Sequence, residues 1–355
     1  MSIAQSSAPL HVTYLSRVRL NPYVKLLAAG VEDADPAIHT SLSYTLPWRR
    51  LLLKRRFDIL HLHWVELQYS YGQPPVGTAR RSLQDILFKL RYLQQRGIRI
   101  VYTVHNLSQH EGLHPHLNEQ ANQWLFDHAD AIHVHDHTSA EAVAKTYNRR
   151  ENVFIIPHGN YIGVYPNRVN RDEARSRLGI PPEPFVYLFI GQVRPYKGLD
   201  NLIQAFIKLD DSGTMLIIAG QAGDAGYTQD IRDQVDGRSN IKLYLDYIPN
   251  EDLQHFFNSA DVCALPYRHA TTSGAALLDY SFAKPIVAPA IGPFPDLVTP
   301  DRGVLFHTDA DLVEALRQAR GLDTDRAGSA TLAFAKTRNW STIGAQHAAM
   351  YRSIS

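Results

Sequence analysis

The string GQVRPYKGLDNLIQAF (191–206) sets Arg194 and Lys197 three residues apart, just ahead of Gly198 and an apolar-periodic segment. Arg194 offers a planar fork of donors and Lys197 a compact point charge, a pairing that suits a diphosphate. Gly198 lets the backbone turn tightly into the helix that follows. The same two cations could instead be solvated surface charges. A second string, RHATTSGAALLDY (268–280), puts Thr272, Ser273 and Gly274 at a helix start. First-turn amides there lack intrahelical partners and carry partial positive charge, so the turn can hold an anion; a plain Thr or Ser N-cap is the simpler reading. This turn has no P-loop lysine of its own. A third string, LYLDYIPNEDLQHFF (243–257), contains Tyr247 and Ile248 in a turn whose backbone groups could pair with a nucleobase edge, and Asn250 as a candidate cap for the next helix.

These strings sit between strands and helices that alternate along the whole chain. LHVTYLS, AIHTSLS, FDILHLHW, IRIVYTVHN, DAIHVHD and NVFIIPHG read as six strands, with FVYLFIG, TMLIIAG, IKLYLDY, DVCALPY, KPIVAPA and GVLFHT as a second series. Helical crossovers between them predict α/β architecture with two mostly parallel, doubly wound, Rossmann-like sheets facing a central cleft. The Pro-, Gly- and Asn-rich stretches NYIGVYPNRVN and LGIPPEPF predict the connection. The expected domains are 1–168 and 169–339, with a last helix over 340–355 crossing back to the first. In such sheets ligands bind outside the carboxyl ends of the strands, so the loops after strands carry the search.

Length and composition agree: 355 residues suit two domains, with 45% apolar and 20% charged residues. A net charge of +1 provides no global field for nucleic acid. The single cysteine, Cys263, excludes a disulfide framework and reads as a small buried hydrophobe. The opening MSIAQSSAPLHVTYL does not read as a signal peptide, and no run of 18 apolar residues spans a membrane, so a cytoplasmic location is expected.

Taken in order, GQVRPYKGLDNLIQAF, NSADVCALPY and TSGAALL…SFAKPIVAP resemble the donor half of GT-B glycosyltransferases of the family 4-like group 1. In the first half, DILHLHWVE, YTVHNLSQHE and the early NPY are similar to a subgroup that includes the xanthan-type GDP-mannose β-mannosyltransferases. The resemblance implies that Arg194, Lys197, Gly198, Thr272, Ser273 and Gly274 hold the donor diphosphate and that Tyr247 and Ile248 contact the base. It implies a nucleotide-sugar donor, a glycan or lipid-linked acceptor and no metal or other cofactor. Retaining members carry a pair of glutamates around this helix; by the alignment of Ser-Gly and Lys-Pro, Thr271 and Leu278 stand there, with Asp279 one residue off. The first loop, SRVRLNPY, also lacks the usual paired glycines. Both departures match the mannosyltransferase-like subgroup and turn the expectation towards inversion.

Inverting transfer needs a base for the acceptor hydroxyl. Glu66 lies just past the strand carrying His61 and His63, His105 just past the next strand, and Glu111 in the same loop as His105 and His110. These three are the candidate catalytic residues. Asn21, Tyr23, Trp64, Asn106 and His158 are candidate contacts to the acceptor or donor sugar. The 17 histidines raise a metal question, but a zinc site needs more converging ligands than HLH or HVHDH supplies, and no metal is expected. The basic cluster LPWRRLLLKRRFD (46–58) reads either as an amphipathic surface helix or as an interfacial segment beside anionic lipid at the inner face of the cytoplasmic membrane. A UDP-sugar donor, a GT-B sugar-nucleotide epimerase and a non-catalytic glycosyltransferase-like partner subunit are the alternative readings.

Overall fold

The computed structural model describes residues 8–46, 57–107, 114–272 and 274–355. The chain divides into two compact units, residues 1–159 with 338–355 and residues 160–337. The break falls between Gly159 and Asn160 and again before Arg338, where the sequence placed it after 168 and after 339. The stretch just past the break is therefore no free linker. Its helix Arg171–Leu178 starts with a capping box between Asn170 and Glu173 and stops at Gly179 in the left-handed region. Arg175 on that helix is fully buried and bonds the Ser259 carbonyl (3.1 Å) and the Asp261 carboxylate (3.0 Å), which ties the helix to the second unit.

The first unit holds strands β1 (Leu10–Leu15), β2 (Ile38–Ser43), β3 (Ile59–Leu62), β4 (Arg99–Thr103), β5 (Ala131–Val134) and β6 (Val153–Ile155). All pair in parallel, in the order β2-β1-β3-β4-β5-β6. The second holds β7 (Phe185–Ile190), β8 (Thr214–Ala219), β9 (Ile241–Tyr244), β10 (Val262–Ala264), β11 (Ile286–Pro289) and β12 (Gly303–Phe306). These too are parallel, in the order β12-β11-β10-β7-β8-β9. Every residue of β3, β5 and β8 is buried, as expected for strands covered by helices on both faces.

The last helix, Trp340–Ile354, belongs to the first unit and packs on Tyr23–Ala34. Gly30 and Gly344 make that approach: a methyl group on Gly344 would sit 2.0 Å from the Gly30 carbonyl oxygen. The sequence's cap at Asn250 is corrected, because the helix begins at Leu253 behind Asp252. Among the described residues, no helix is long and apolar enough to cross a membrane.

Candidate active site

Each sheet has one point where the crossovers leave in opposite directions. In the second unit β7 leads outward through β8 and β9, and β10 through β11 and β12. The loops after β7 and β10 therefore diverge and leave a crevice between them at the carboxyl edge. In the first unit the same reversal lies between β1 and β3. Arg194 and Lys197 follow β7, Thr272 and Gly274 follow β10, Asn21 and Tyr23 follow β1, and Trp64 and Glu66 follow β3; Tyr247 and Ile248 follow β9, and His105 follows β4.

In the second unit, glycines bring the two loops together. Gly198 has φ +67°, and a Cβ there would lie 2.1 Å from the Pro266 carbonyl oxygen. The Arg268 amide donates to the Tyr196 carbonyl (2.9 Å), and its guanidinium to the Pro195 carbonyl (2.7 Å). On the far side Gly292, with φ +53°, touches the Ala270 carbonyl in the same way. The loop after β10 is thus held between Gly198 and Gly292. Arg194 lies across Gly223, where a Cβ would fall 2.5 Å from its Cζ. Lys197 sits with its ammonium 3.6 Å from the centre of the Tyr267 ring, a cation–π contact.

Arg194, Lys197, Gly198 and Thr272 are thereby gathered at one crevice, with Gly274 opening the helix Gly274–Ser281. Ser273 lies outside the described residues. Tyr247 is exposed after β9, and Ile248 packs partly on the core. Sequence reading missed Gly223, Gly292, Arg268 and Tyr267; the glycine-rich run GQAGDAG after β8 was the available signal. Asp279 is buried with its carboxyl pushed well above the usual range by desolvation, against the pull of Lys197 and a hydrogen bond from the Cys263 thiol.

In the first unit the strands, the loops after them and the last helix carry rings. His61, His63, His105, His133, His135 and His347 are buried, and His158 is half-buried. Backbone carbonyls can only accept, so they fix where several protons sit. His133 Nε2 donates to the Ile156 carbonyl (2.8 Å), which leaves Nδ1 to accept from the Thr103 hydroxyl (2.9 Å). His61 Nε2 then donates to Thr103 Oγ1 (2.7 Å), and its Nδ1 pairs with the Tyr351 hydroxyl (2.7 Å). His135, His158 and His347 each donate from Nδ1 to a carbonyl, those of Ile156, Gly159 and Ile343. Desolvation lowers the basicity of all seven rings; His133 and His158 fall to about 4. Among the described residues no group of three or more His, Cys, Asp or Glu is arranged to hold a metal ion.

His105 stacks on Trp64, with ring centres 3.8 Å apart and planes within 6°. Trp64 has φ +46°, a costly conformation for a bulky residue, at the turn out of β3. His63 Nδ1 lies 3.0 Å from His105 Nε2. Glu66 is half-buried and begins the short helix Glu66–Ser70. Asn106 is exposed beside His105. Asn21 accepts from the Tyr23 amide (2.9 Å) and so shapes its own loop. Tyr23 is a correction: it is 1% exposed, with its ring packed among His63, Trp64, His105, His135, His158 and Trp340, and cannot be offered to a sugar. Glu111 and residues 47–56 of the basic cluster lie outside the described residues.

Comparison with known proteins matches each unit separately. Residues 9–159 match the family described as Glycosyl transferase 4-like domain, and residues 170–324 that described as Glycosyl transferases group 1. A D-inositol 3-phosphate glycosyltransferase of Corynebacterium aurimucosum is 26% identical, covering 82% of this chain and 70% of that protein. The GDP-mannose:glycolipid 4-beta-D-mannosyltransferase of Xanthomonas campestris pv. campestris is 25% identical over 93% of this chain and 88% of its own length. Among solved structures, sucrose-phosphate synthase from Thermosynechococcus elongatus superposes with a TM-score of 0.76 at 16% identity, covering 97% of this chain and 99% of that one. Anabaena Alr3699/HepE, solved in complex with UDP, gives 0.74 at 16% identity, covering 97% of this chain and all (100%) of its own. At these identities the structures establish the fold.

Proposed function

This chain belongs to the group 1 glycosyltransferases of GT-B fold, and on that premise we propose that it transfers mannose from GDP-mannose, with inversion, to a lipid-linked glycan in exopolysaccharide or glycolipid synthesis. The observation that carries the reading is the crevice between the β7 and β10 loops. Two cations and a helix start lie on loops that Gly198 and Gly292 let close against each other, with no room for a Cβ at either glycine. Arg194, Lys197 and the first-turn amides around Thr272, Ser273 and Gly274 take the diphosphate. Tyr247 and Ile248 take the base. The mannosyltransferase relative, aligned over 93% of this chain, supports the donor and the glycolipid acceptor.

Inversion is supported by Thr271 and Leu278 standing at the positions of the glutamate pair and by the setting of the neighbouring Asp279. Leu278 packs against the core, and the Asp279 carboxyl is buried beside Cys263. Neither offers an ionised carboxylate to a sugar. In the proposed step Glu66 takes the proton of the acceptor hydroxyl as that oxygen bonds to C1 of the sugar. The C1–oxygen bond to the diphosphate breaks, and GDP leaves with the electron pair, its charge met by Arg194, Lys197 and the helix amides. No metal or other cofactor enters. Trp64, Asn106 and His158 border the sugar, Glu111 assists from its loop, and the basic segment 46–58 rests on anionic lipid at the cytoplasmic face.

A thermal-shift screen with GDP, UDP, ADP and TDP tests the donor, because only ligands that bind the native state stabilise it. GDP alone should raise the melting temperature. A response to UDP without one to GDP overturns the choice. Turnover of the sugar-nucleotide without acceptor or hydrolysis would instead mark an epimerase, and nucleotide binding without any transfer a non-catalytic partner.

A further inference from the structure

A cavity of about 480 Å³ opens in the second unit, lined by residues from 167–171, 258–261, 282–284 and 324–332. That volume is in the range of small-molecule sites. Asp261 stands one residue ahead of β10 and Lys284 two ahead of β11. The cavity therefore lies at the amino edge of the sheet, the opposite edge from Arg194 and Lys197.

Its charges are unevenly matched. Asp261 is fully engaged: Oδ1 pairs with Arg171 Nη2 (2.9 Å), and Oδ2 accepts from Arg175 Nη2 (3.0 Å) and the Val186 amide (2.7 Å). Arg175 turns its other donors to the carbonyls of Ser259 and Pro182. Lys284 is left over. Its ammonium donates to the Ala260 carbonyl (2.8 Å), at the end of the helix Leu253–Ser259. Among the described residues no carboxylate pairs with it, and its other two protons meet no acceptor. Capping a helix end needs only one of them. Burial lowers the basicity of this lysine, and a desolvated ammonium is costly until an anion meets it. Arg171, half-exposed in the same lining, engages only Nη2 among the described residues.

We propose that this cavity is a second ligand site, which takes a small phosphate monoester with a hydroxylated body. Lys284 and Arg171 hold the phosphate, the ammonium as a point charge and the guanidinium as a fork. The body meets donors and acceptors together, as hydroxyls require. Asn167 and Asn170 use their oxygens on Asn258 Nδ2 (2.7 Å) and the Glu173 amide (2.9 Å), which leaves their amide nitrogens as donors. Asp325 adds an accepting carboxylate to the lining, and its charge selects against a diphosphate or triphosphate. The helix Gly274–Ser281 links this site to the donor crevice: it starts at the crevice, and the chain past its end runs through Phe282 and Ala283 to Lys284. A ligand on Lys284 therefore acts on the far end of the helix that meets the donor, and donor and effector alter each other's affinity equally. The site rests on this unit's geometry; the effect on the donor rests on the glycosyl-transfer reading.

Titration calorimetry of the full chain saturated with GDP tests the site, with glucose 6-phosphate, glucose and inorganic phosphate as probes. Glucose 6-phosphate should bind, and each of the others about tenfold or more weakly, the reach of a charge-assisted contact. Glucose binding as tightly as its phosphate overturns the anion site, and inorganic phosphate binding as tightly overturns the hydroxylated ligand. Lys284→Met keeps the stem and removes the charge, and should weaken glucose 6-phosphate about tenfold or more. Arg171→Gln should do the same and decides the matter if Lys284→Met fails to fold, because Arg175 still holds Asp261. Arg194→Ala should leave the affinity unchanged. Loss in Arg194→Ala with none in Lys284→Met puts the ligand in the donor crevice and sinks the proposal, as does no binding at all. Saturating glucose 6-phosphate should shift GDP affinity about fivefold or more, and Lys284→Met should abolish the shift. An unchanged GDP affinity removes the effector role. If GDP itself does not bind, the proposed donor fails, and the same probes on the nucleotide-free protein still decide the site.

Discussion

The two sheets share a plan and differ in what stands at their carboxyl edges. The first unit, in the order β2-β1-β3-β4-β5-β6, carries imidazoles on and after its strands, joined by side-chain hydrogen bonds to one another, to Thr103 and to Tyr351 of the last helix, with the Trp64 indole stacked on His105. The second, in the order β12-β11-β10-β7-β8-β9, ends its strands in glycines, hydroxyls and two cations. One edge is built to place protons, the other to place charge. A parallel sheet leaves the chemistry of its edge open, because the strands fix only where loops begin. Burial then separates the two. Desolvated rings become neutral and directional, whereas half-exposed cations remain charged beside backbone amides.

The largest expected effect tests the proton side. Glu66→Gln should cut kcat by roughly 100-fold or more, the usual reach of general base catalysis, with GDP affinity held. Calorimetry and initial rates measure both. If Glu66→Gln weakens GDP as strongly as a phosphate-loop variant does, the division of labour fails. Next comes the charge side. Arg194→Ala or Lys197→Ala should weaken GDP about 10- to 100-fold, the range of a charge-assisted hydrogen bond, and leave guanosine unchanged. Equal loss of both ligands would make the loop merely structural.

Acid should separate the units by stability. The seven rings of the first unit titrate lower when folded than the ordinary value of 6.5. Between the two values the unfolded chain binds more protons. Stability is therefore complete above about pH 7 and lost as pH falls from 6.5 towards 4, by up to about 1.4 kcal/mol per pH unit for each ring. Asp279 of the second unit has the opposite sign, since its raised carboxyl favours the folded state on acidification. All four tryptophans, at 48, 64, 124 and 340, belong to the first unit, so indole fluorescence follows that unit by itself. An indole signal that stays native to pH 4 would show that the rings are not the weak point.

Smaller effects probe how the edges are held. Gly198→Ala meets both a positive φ and the Pro266 carbonyl, whereas Gly163→Ala, at φ +75° with nothing within 4 Å, meets only the first. Melting curves should show about 1 kcal/mol lost at Gly163 and about 1–3 kcal/mol at Gly198, with GDP affinity falling only at Gly198. Equal losses would mean the close approach is unimportant. Asn21→Ala should be the mildest, about 1 kcal/mol or less, since it removes one side-chain bond to the Tyr23 amide.

Much of this was legible beforehand. Alternating apolar segments gave twelve strands and their parallel winding, because the period of buried side chains is a local property. Arg194, Lys197 and Gly198 were legible because charge and backbone freedom are written in residue type. Tyr23 was misread for the opposite reason: a tyrosine beside Pro22 reads the same whether it faces solvent or six rings. Asp279 read as a misplaced acid, and only its burial beside Cys263 removes it from the ionised carboxylates.

The sequence by itself determined that two doubly wound domains carry a cationic, glycine-turned loop and a hydroxyl-rich helix start, and that the paired glutamates of retaining relatives are missing. Tertiary structure alone decided that Gly198 and Gly292 clamp the loop after β10, that Gly30 and Gly344 let the last helix close on Tyr23–Ala34, and that His63 meets His105. These depend on contacts between residues tens to hundreds of positions apart, and no local pattern of size, charge or polarity encodes which side of a histidine ring will meet which neighbour.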